Sequence, residues 1–188
     1  MRVRRALAEK GVVYDETEVD LVKRPPELFT LNPKGGVPVL VDQQDTISES
    51  LAILEYLEHR FPDPPLFPGR ADGRERALGV YDRVNVLLAP HMLKVARGGP
   101  AEKAEAEGSV RAALASLEEE TPDQGFLCGD LSIADLALAS FVARLPSPIR
   151  PTELGLPRLS RWEVAVFTRP AVAHHTAPRR PHGEATGA

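Results

Sequence analysis

Two short segments, Val37-Pro38 and Ser48-Glu49-Ser50, carry groups that would together hold the zwitterionic end of a small peptide. Val37-Pro38 stands between a Gly35-Gly36 turn and the apolar run Val39-Leu40-Val41. Proline cannot donate to a ladder, so a strand that opens on it implies a fixed prolyl turn, a cis bond being one form, that holds the preceding backbone outward. Val37 is then the residue on offer: its N–H and C=O can pair with an extended peptide as an added strand would. A helix starting at Ser48 brings free N–H groups and a positive dipole end to a carboxylate, while the Glu49 side chain can accept from an ammonium.

The elements that must position these groups follow from periodicity and breakers. Residues 2–10 form an amphipathic helix ended by Gly11, and residues 12–19 alternate apolar and polar as a half-buried strand does. Pro25-Pro26 opens a short helix within 21–31. Residues 38–41 and 46–47 make a hairpin with its turn over 42–45, and 48–60 is a helix with Leu51, Ile53, Leu54 and Leu57 apolar. The breaker-rich stretch 62–73, PDPPLFPGRADG, is the natural joint. Beyond it only helices are expected, over 74–96, 101–119, 132–145 and 157–167. Ser132 and Asp135 form an S-x-x-D box before an apolar run and are read as folding residues. The expected organisation is therefore a domain over 1–61, a linker over 62–73, a helical domain over 74–172 and a disordered tail over 173–188.

Composition excludes several functions. A net charge of −4 over 188 residues, with no basic stripe, argues against nucleic acid as the main partner. Arg2, Arg4 and Arg5 are read as the solvated face of the first helix. No apolar run reaches membrane-spanning length and no signal peptide precedes the first helix, so a cytoplasmic protein without a membrane partner is expected. The one cysteine, Cys128, precludes an internal disulfide and reads as a small buried thiol. His174, His175 and His182 fall in the tail without carboxylate or cysteine company at ligand spacing, so no metal site is expected. His59 and His91 have no recognisable partner, and Trp162 reads as a packing residue.

The segments RVRRALAEKG, NPKGGVPVL, SESLAILEYL, FLCGDLSIADLALA and LSRWEVAVFTRPAV resemble, in order, the glutathione S-transferase family. The resemblance implies an α/β thioredoxin-like N-terminal domain and an all-α C-terminal domain. It implies glutathione as co-substrate, bound through Val37, Pro38, Glu49 and Ser50, with a small electrophile against 74–96 and a homodimer. Lys23 either reaches the glycyl carboxylate, as a basic residue of that loop does in some members, or is simply solvated. Gly36 stands where many relatives carry a long polar side chain.

In the family a strand and a loop precede the helix that here starts at Arg2, and the loop brings a Tyr, Ser or Cys to the sulfur. A donor there stabilises the thiolate of a thiol that is otherwise mostly protonated at neutral pH. No residue matches that position, so no catalytic residue is assigned: Tyr14 lies on the next strand, and Ser48 and Ser50 belong to the γ-glutamyl end of the site. The N-terminal domain is accordingly expected to be incomplete, its first strand missing between 12–19 and 38–41. Either a shortened reading of a longer protein or a degenerate member explains this. The resemblance thus implies a glutathione-binding transferase whose turnover depends on that residue. The alternatives are a non-catalytic scaffold of the same fold and a glutathione-dependent isomerase or dehalogenase.

Overall fold

The computed structural model describes residues 1–69 and 72–173. The expected tail over 173–188, with its three histidines, lies outside the described residues save for Ala173. The first helix, α1, spans Arg2–Glu9 and ends in a two-bond cap: Gly11 N–H donates to Ala8 O and Val12 N–H to Leu7 O. Gly11 takes φ +64° there, the left-handed conformation that glycine adopts without a Cβ penalty. Helix α2 covers Pro26–Leu31, with Pro26 at its first position, where the absent N–H has no intrahelical partner to lose.

Strands β1 (Val39–Asp42) and β2 (Asp45–Ser48) form an antiparallel hairpin, pairing Val39 with Ser48 and Asp42 with Asp45. The turn is shorter than expected, only Gln43-Gln44, with Gln43 at φ +54°. Helix α3 runs Ser50–Arg60, two residues later than the expected start, because Ser48 is held in the ladder and Glu49 leaves the helical region at φ 72°, ψ 128°. Val37-Pro38 is cis, as is Asp63-Pro64.

The strand expected over 12–19 does not form. A strand exists through its partner, and among the described residues β1 and β2 pair only with each other, so this segment keeps a single bridge position at Tyr14. The thioredoxin-like part is thus a two-stranded sheet flanked by helices, and the remainder is all helical.

Helices α4 (Gly73–Arg97), α5 (Pro100–Glu120) and α6 (Ile133–Val142) build the core of that remainder. A 3₁₀ turn at Ser147–Ile149 and α7 (Pro151–Leu154), neither expected, lead to α8 (Pro157–Phe167) and α9 (Pro170–Ala173). Every residue of α6 is buried, as an all-round apolar helix requires, and it packs on α4, α1 and α8. At its start the fully buried Asp135 carboxylate accepts four bonds: Ser132 N–H (2.8 Å) and Oγ–H (2.9 Å), Leu127 N–H (2.9 Å) and Trp162 Nε1–H (2.8 Å). The S-x-x-D box is therefore a hub as well as a cap.

The joint is pinned over 61–67. Lys10 Nζ, its side chain fully enclosed, donates to Glu58 Oε2 (2.8 Å), Phe61 O (2.6 Å) and Pro64 O (2.9 Å). Glu58 in turn accepts from Leu66 N–H and Phe67 N–H, and Ile133 N–H donates to Leu66 O at the mouth of α6. One lysine thus fastens the ends of α1 and α3 to the joint.

Two substitutions test these nodes by urea unfolding. Lys10→Met leaves two carbonyls and one carboxylate without their cation and is expected to cost about 2 kcal/mol. Asp135→Asn puts an NH2 where an acceptor must serve inward-pointing donors, and a loss of roughly 2–4 kcal/mol is expected; unchanged midpoints would refute the hub.

Candidate functional site

Asn32 shapes the turn that delivers Val37. Its Nδ2 donates to Gly36 O (3.0 Å), its Oδ1 accepts from Lys34 N–H (3.1 Å), and its own carbonyl accepts from Gly35 N–H (2.7 Å). Gly35 is at φ +61°, and a Cβ there would lie 2.5 Å from the Phe29 ring, so only glycine fits. Val37 emerges from this turn about half exposed, at 45%.

Val37 and Pro38 share one wall of a cleft of about 520 Å³ with Glu49 and Ser50. The prolyl corner and the acidic helix entrance, separated by the whole hairpin in sequence, thus stand side by side. Glu49 precedes α3 and gives it no side-chain cap, so the first N–H groups of α3 remain open toward the cleft, where Leu51 also lies. Among the described residues neither the Glu49 carboxylate nor the Ser50 hydroxyl has a hydrogen-bond partner. A wall of this kind can accept from an ammonium at Glu49 and donate to a carboxylate at the start of α3.

The rest of the cleft lining was not legible in the sequence. It comprises Met1, Arg2 from α1, Tyr81, Asp82 and Asn85 from α4, and Ser140 and Arg144 at the end of α6. Arg2 Nη1 donates to the Tyr81 hydroxyl (2.7 Å) and to Asn85 Oδ1 (2.9 Å), and its guanidinium stacks on the Tyr81 and Phe141 rings. Behind it Arg5 is 1% exposed, donates Nη1–H to Ser140 Oγ (3.2 Å) and leaves Nε without a partner. Burial and the charge of Arg144 pull the Arg5 pKa down to about 10. The expectation of a solvated basic face is corrected here: only Arg4 turns outward, to pair with Glu16, while Arg2 and Arg5, one turn apart, face α4 and α6.

Lys23 is exposed, with its backbone N–H on Asp20 Oδ1 (3.2 Å), and it does not line the cleft. Ser132 and Asp135 lie at the other end of α6 from Ser140 and Arg144. Cys128 is partly buried, and burial pushes its thiol pKa up, which disfavours a thiolate. Among the described residues no group of three or more His, Cys, Asp or Glu is placed to hold a metal ion, and no helix is long and apolar enough to cross a membrane.

Glu49 holds a left-handed backbone that costs a non-glycine residue about 1–3 kcal/mol, a kind of strain that clusters at functional sites. Glu49→Gly is expected to raise stability by about 1 kcal/mol in urea while removing the carboxylate; a destabilised protein would show that the strain is absent.

The family description "Glutathione S-transferase, N-terminal domain" matches residues 1–65, and "Glutathione S-transferase, C-terminal domain" matches residues 100–163. A stringent starvation protein A homolog of Haemophilus influenzae is 32% identical over 172 residues, which cover 89% of this chain and 80% of the relative. A maleylacetoacetate isomerase of Pseudomonas aeruginosa is 35% identical over 152 residues, 73% of this chain and 72% of the relative. Rice GST1, solved in complex with glutathione, superposes with a TM-score of 0.78 at 30% identity, over 93% of this chain and 85% of that one. With both halves matched in order and the same two-part fold in a solved relative, the chain belongs to the glutathione S-transferase family.

Proposed function

We propose that the protein binds glutathione in this cleft and presents its thiol to a small electrophile. The observation that carries the reading is the convergence of Val37 and Glu49 on one wall. Val37 pairs with the cysteinyl backbone, Glu49 accepts from the γ-glutamyl ammonium, and Ser50 with the open N–H groups of α3 takes the adjoining carboxylate. Pro38 fixes the corner. On this reading 1–61 is the glutathione-binding domain, 62–73 the joint, and 74–172 the helical domain that walls the electrophile. The reaction is attack of the glutathione thiolate on the electrophilic carbon, helped by proximity. It calls for a Tyr, Ser or Cys donor at the sulfur, which the family carries on a loop ahead of the helix corresponding to α1. A cytoplasmic homodimer, with the N-terminal domain of one subunit against the helical domain of the other, completes the proposal.

Calorimetric titration with glutathione tests it. Glu49→Ala and Ser50→Ala are each expected to weaken binding about tenfold or more, the worth of one charge-assisted hydrogen bond. Lys23→Ala, outside the cleft, is expected to change it less than about twofold. Absence of any glutathione binding would defeat the reading and favour a scaffold of the same fold.

A second reading, a glutathione-dependent isomerase, is favoured by the similarity to the Pseudomonas aeruginosa isomerase. The two differ in their products. A transferase consumes glutathione into a thioether, whereas an isomerase returns it unchanged.

A further inference from the structure

The part of the cleft lining contributed by α1, α4 and α6 carries an excess of unpaired positive charge. Among the described residues Arg2, Arg5 and Arg144 make no ion pair. Arg2 is held in place by Tyr81 and Asn85, and Arg144 Nε donates to Ser140 O (3.0 Å), which aligns its guanidinium along the Phe141 ring. The Nη groups of Arg144 have no partner, and the residue is exposed at the cleft. Burial and the charge of Arg2 both lower the Arg144 pKa, as expected of two like charges that share a wall. Arg5 adds a third guanidinium, buried directly behind Ser140. Among the described residues that α1, α4 and α6 give to the cleft, Asp82 of α4 is the only carboxylate, and it pairs with none of the three.

Such an arrangement is costly without an anion. A guanidinium presents a planar fork matched to a carboxylate, and such a pair gains most where the positive groups are already positioned. The γ-glutamyl end of the peptide is assigned to Glu49 and Ser50; of the remaining anions a carboxylate on the second substrate is the one taken to Arg144, and the unchanged glutathione affinity expected of Arg144→Gln separates it from the glycyl carboxylate.

We propose that Arg144, backed by Arg2 and Arg5, selects an electrophile that bears a carboxylate, and that Arg144 is the specificity-determining residue for that group. The inference rests on the glutathione-binding reading and adds the class of the second substrate.

The test uses two stable thioethers, so it does not depend on turnover: the glutathione conjugate of a chlorodinitrobenzoate and the conjugate of its methyl ester. Both differ from glutathione by the same aryl group, and only one carries the extra charge. Calorimetry with the intact protein is expected to show the acid conjugate bound at least about tenfold tighter than the ester, as one charge-assisted pair supplies. In Arg144→Gln the ratio should fall to within about twofold, with the affinities for glutathione and the ester unchanged; Arg144→Lys should recover part of the preference. Unchanged glutathione affinity also reports that the variant is folded. Equal affinities in the unmodified protein, a preference that survives Arg144→Gln, or a loss that falls equally on glutathione and both conjugates would each overturn the proposal. If glutathione binds and the conjugates are not distinguished, this inference alone fails. If neither glutathione nor a conjugate binds, the glutathione-binding reading fails and takes this inference with it.

Discussion

Asp135 is wholly enclosed by protein, and burial drives its pKa upward, yet four donors converge on its two oxygens and pull the other way. The four donors come from three residues with different structural duties. Ser132 opens α6, Leu127 belongs to the turn before it, and Trp162 reaches in from α8. An enclosed carboxylate is tolerable only when its acceptor capacity is filled in this way, so the four groups must stay together for the helical half to form. The consequence reaches the cleft. Helix α6 is rigid and fully buried, and it carries the register set at Ser132 along about 15 Å to Ser140 and Arg144.

Helix α1 meets α6 from the other side and joins the two halves of the chain. Its last residue, Glu9, takes a bidentate pair from Arg169 at 2.6 and 2.7 Å, between α8 and α9. Lys10 binds the joint and the end of α3. With its C-terminal end held by Glu9 and Lys10 and its first residue bonded to Tyr81 and Asn85, the helix keeps Arg2 and Arg5 turned toward α4 and α6. The basic wall thus follows from the packing that unites the halves.

Two local rules are broken at or just behind this cleft. Glu49 occupies a backbone region suited to glycine, and Arg5 is buried with an unpartnered Nε. Proteins concentrate such costs where function requires groups in otherwise unfavourable positions. The opposite charge of the two walls fits a zwitterionic peptide on one side and an anionic group on the other.

Much of the fold was legible because it is written in short-range signals. Gly11 after an amphipathic run, Pro26 at a helix entry and Ser132 three residues before Asp135 each act within one turn of chain, and each element appears where those residues put it. Val37-Pro38 and Glu49-Ser50 could be paired as a site for the same reason, since one hairpin separates them. The strand expected over 12–19 failed because alternation states only that a segment suits a sheet, and the ladder partner must come from elsewhere. The opposite wall was hidden more deeply: Arg2, Tyr81, Ser140 and Arg144 come from three helices, and spacing along α1 cannot tell an arginine facing water from one facing α6. By itself the sequence determined the main helices, the hairpin, the caps and the pairing of Val37-Pro38 with Glu49-Ser50 in one cleft, all products of neighbours in the chain. Only the tertiary structure decided which arginines were buried and what else lines the cleft, because burial is a property of the partner surface that packing brings.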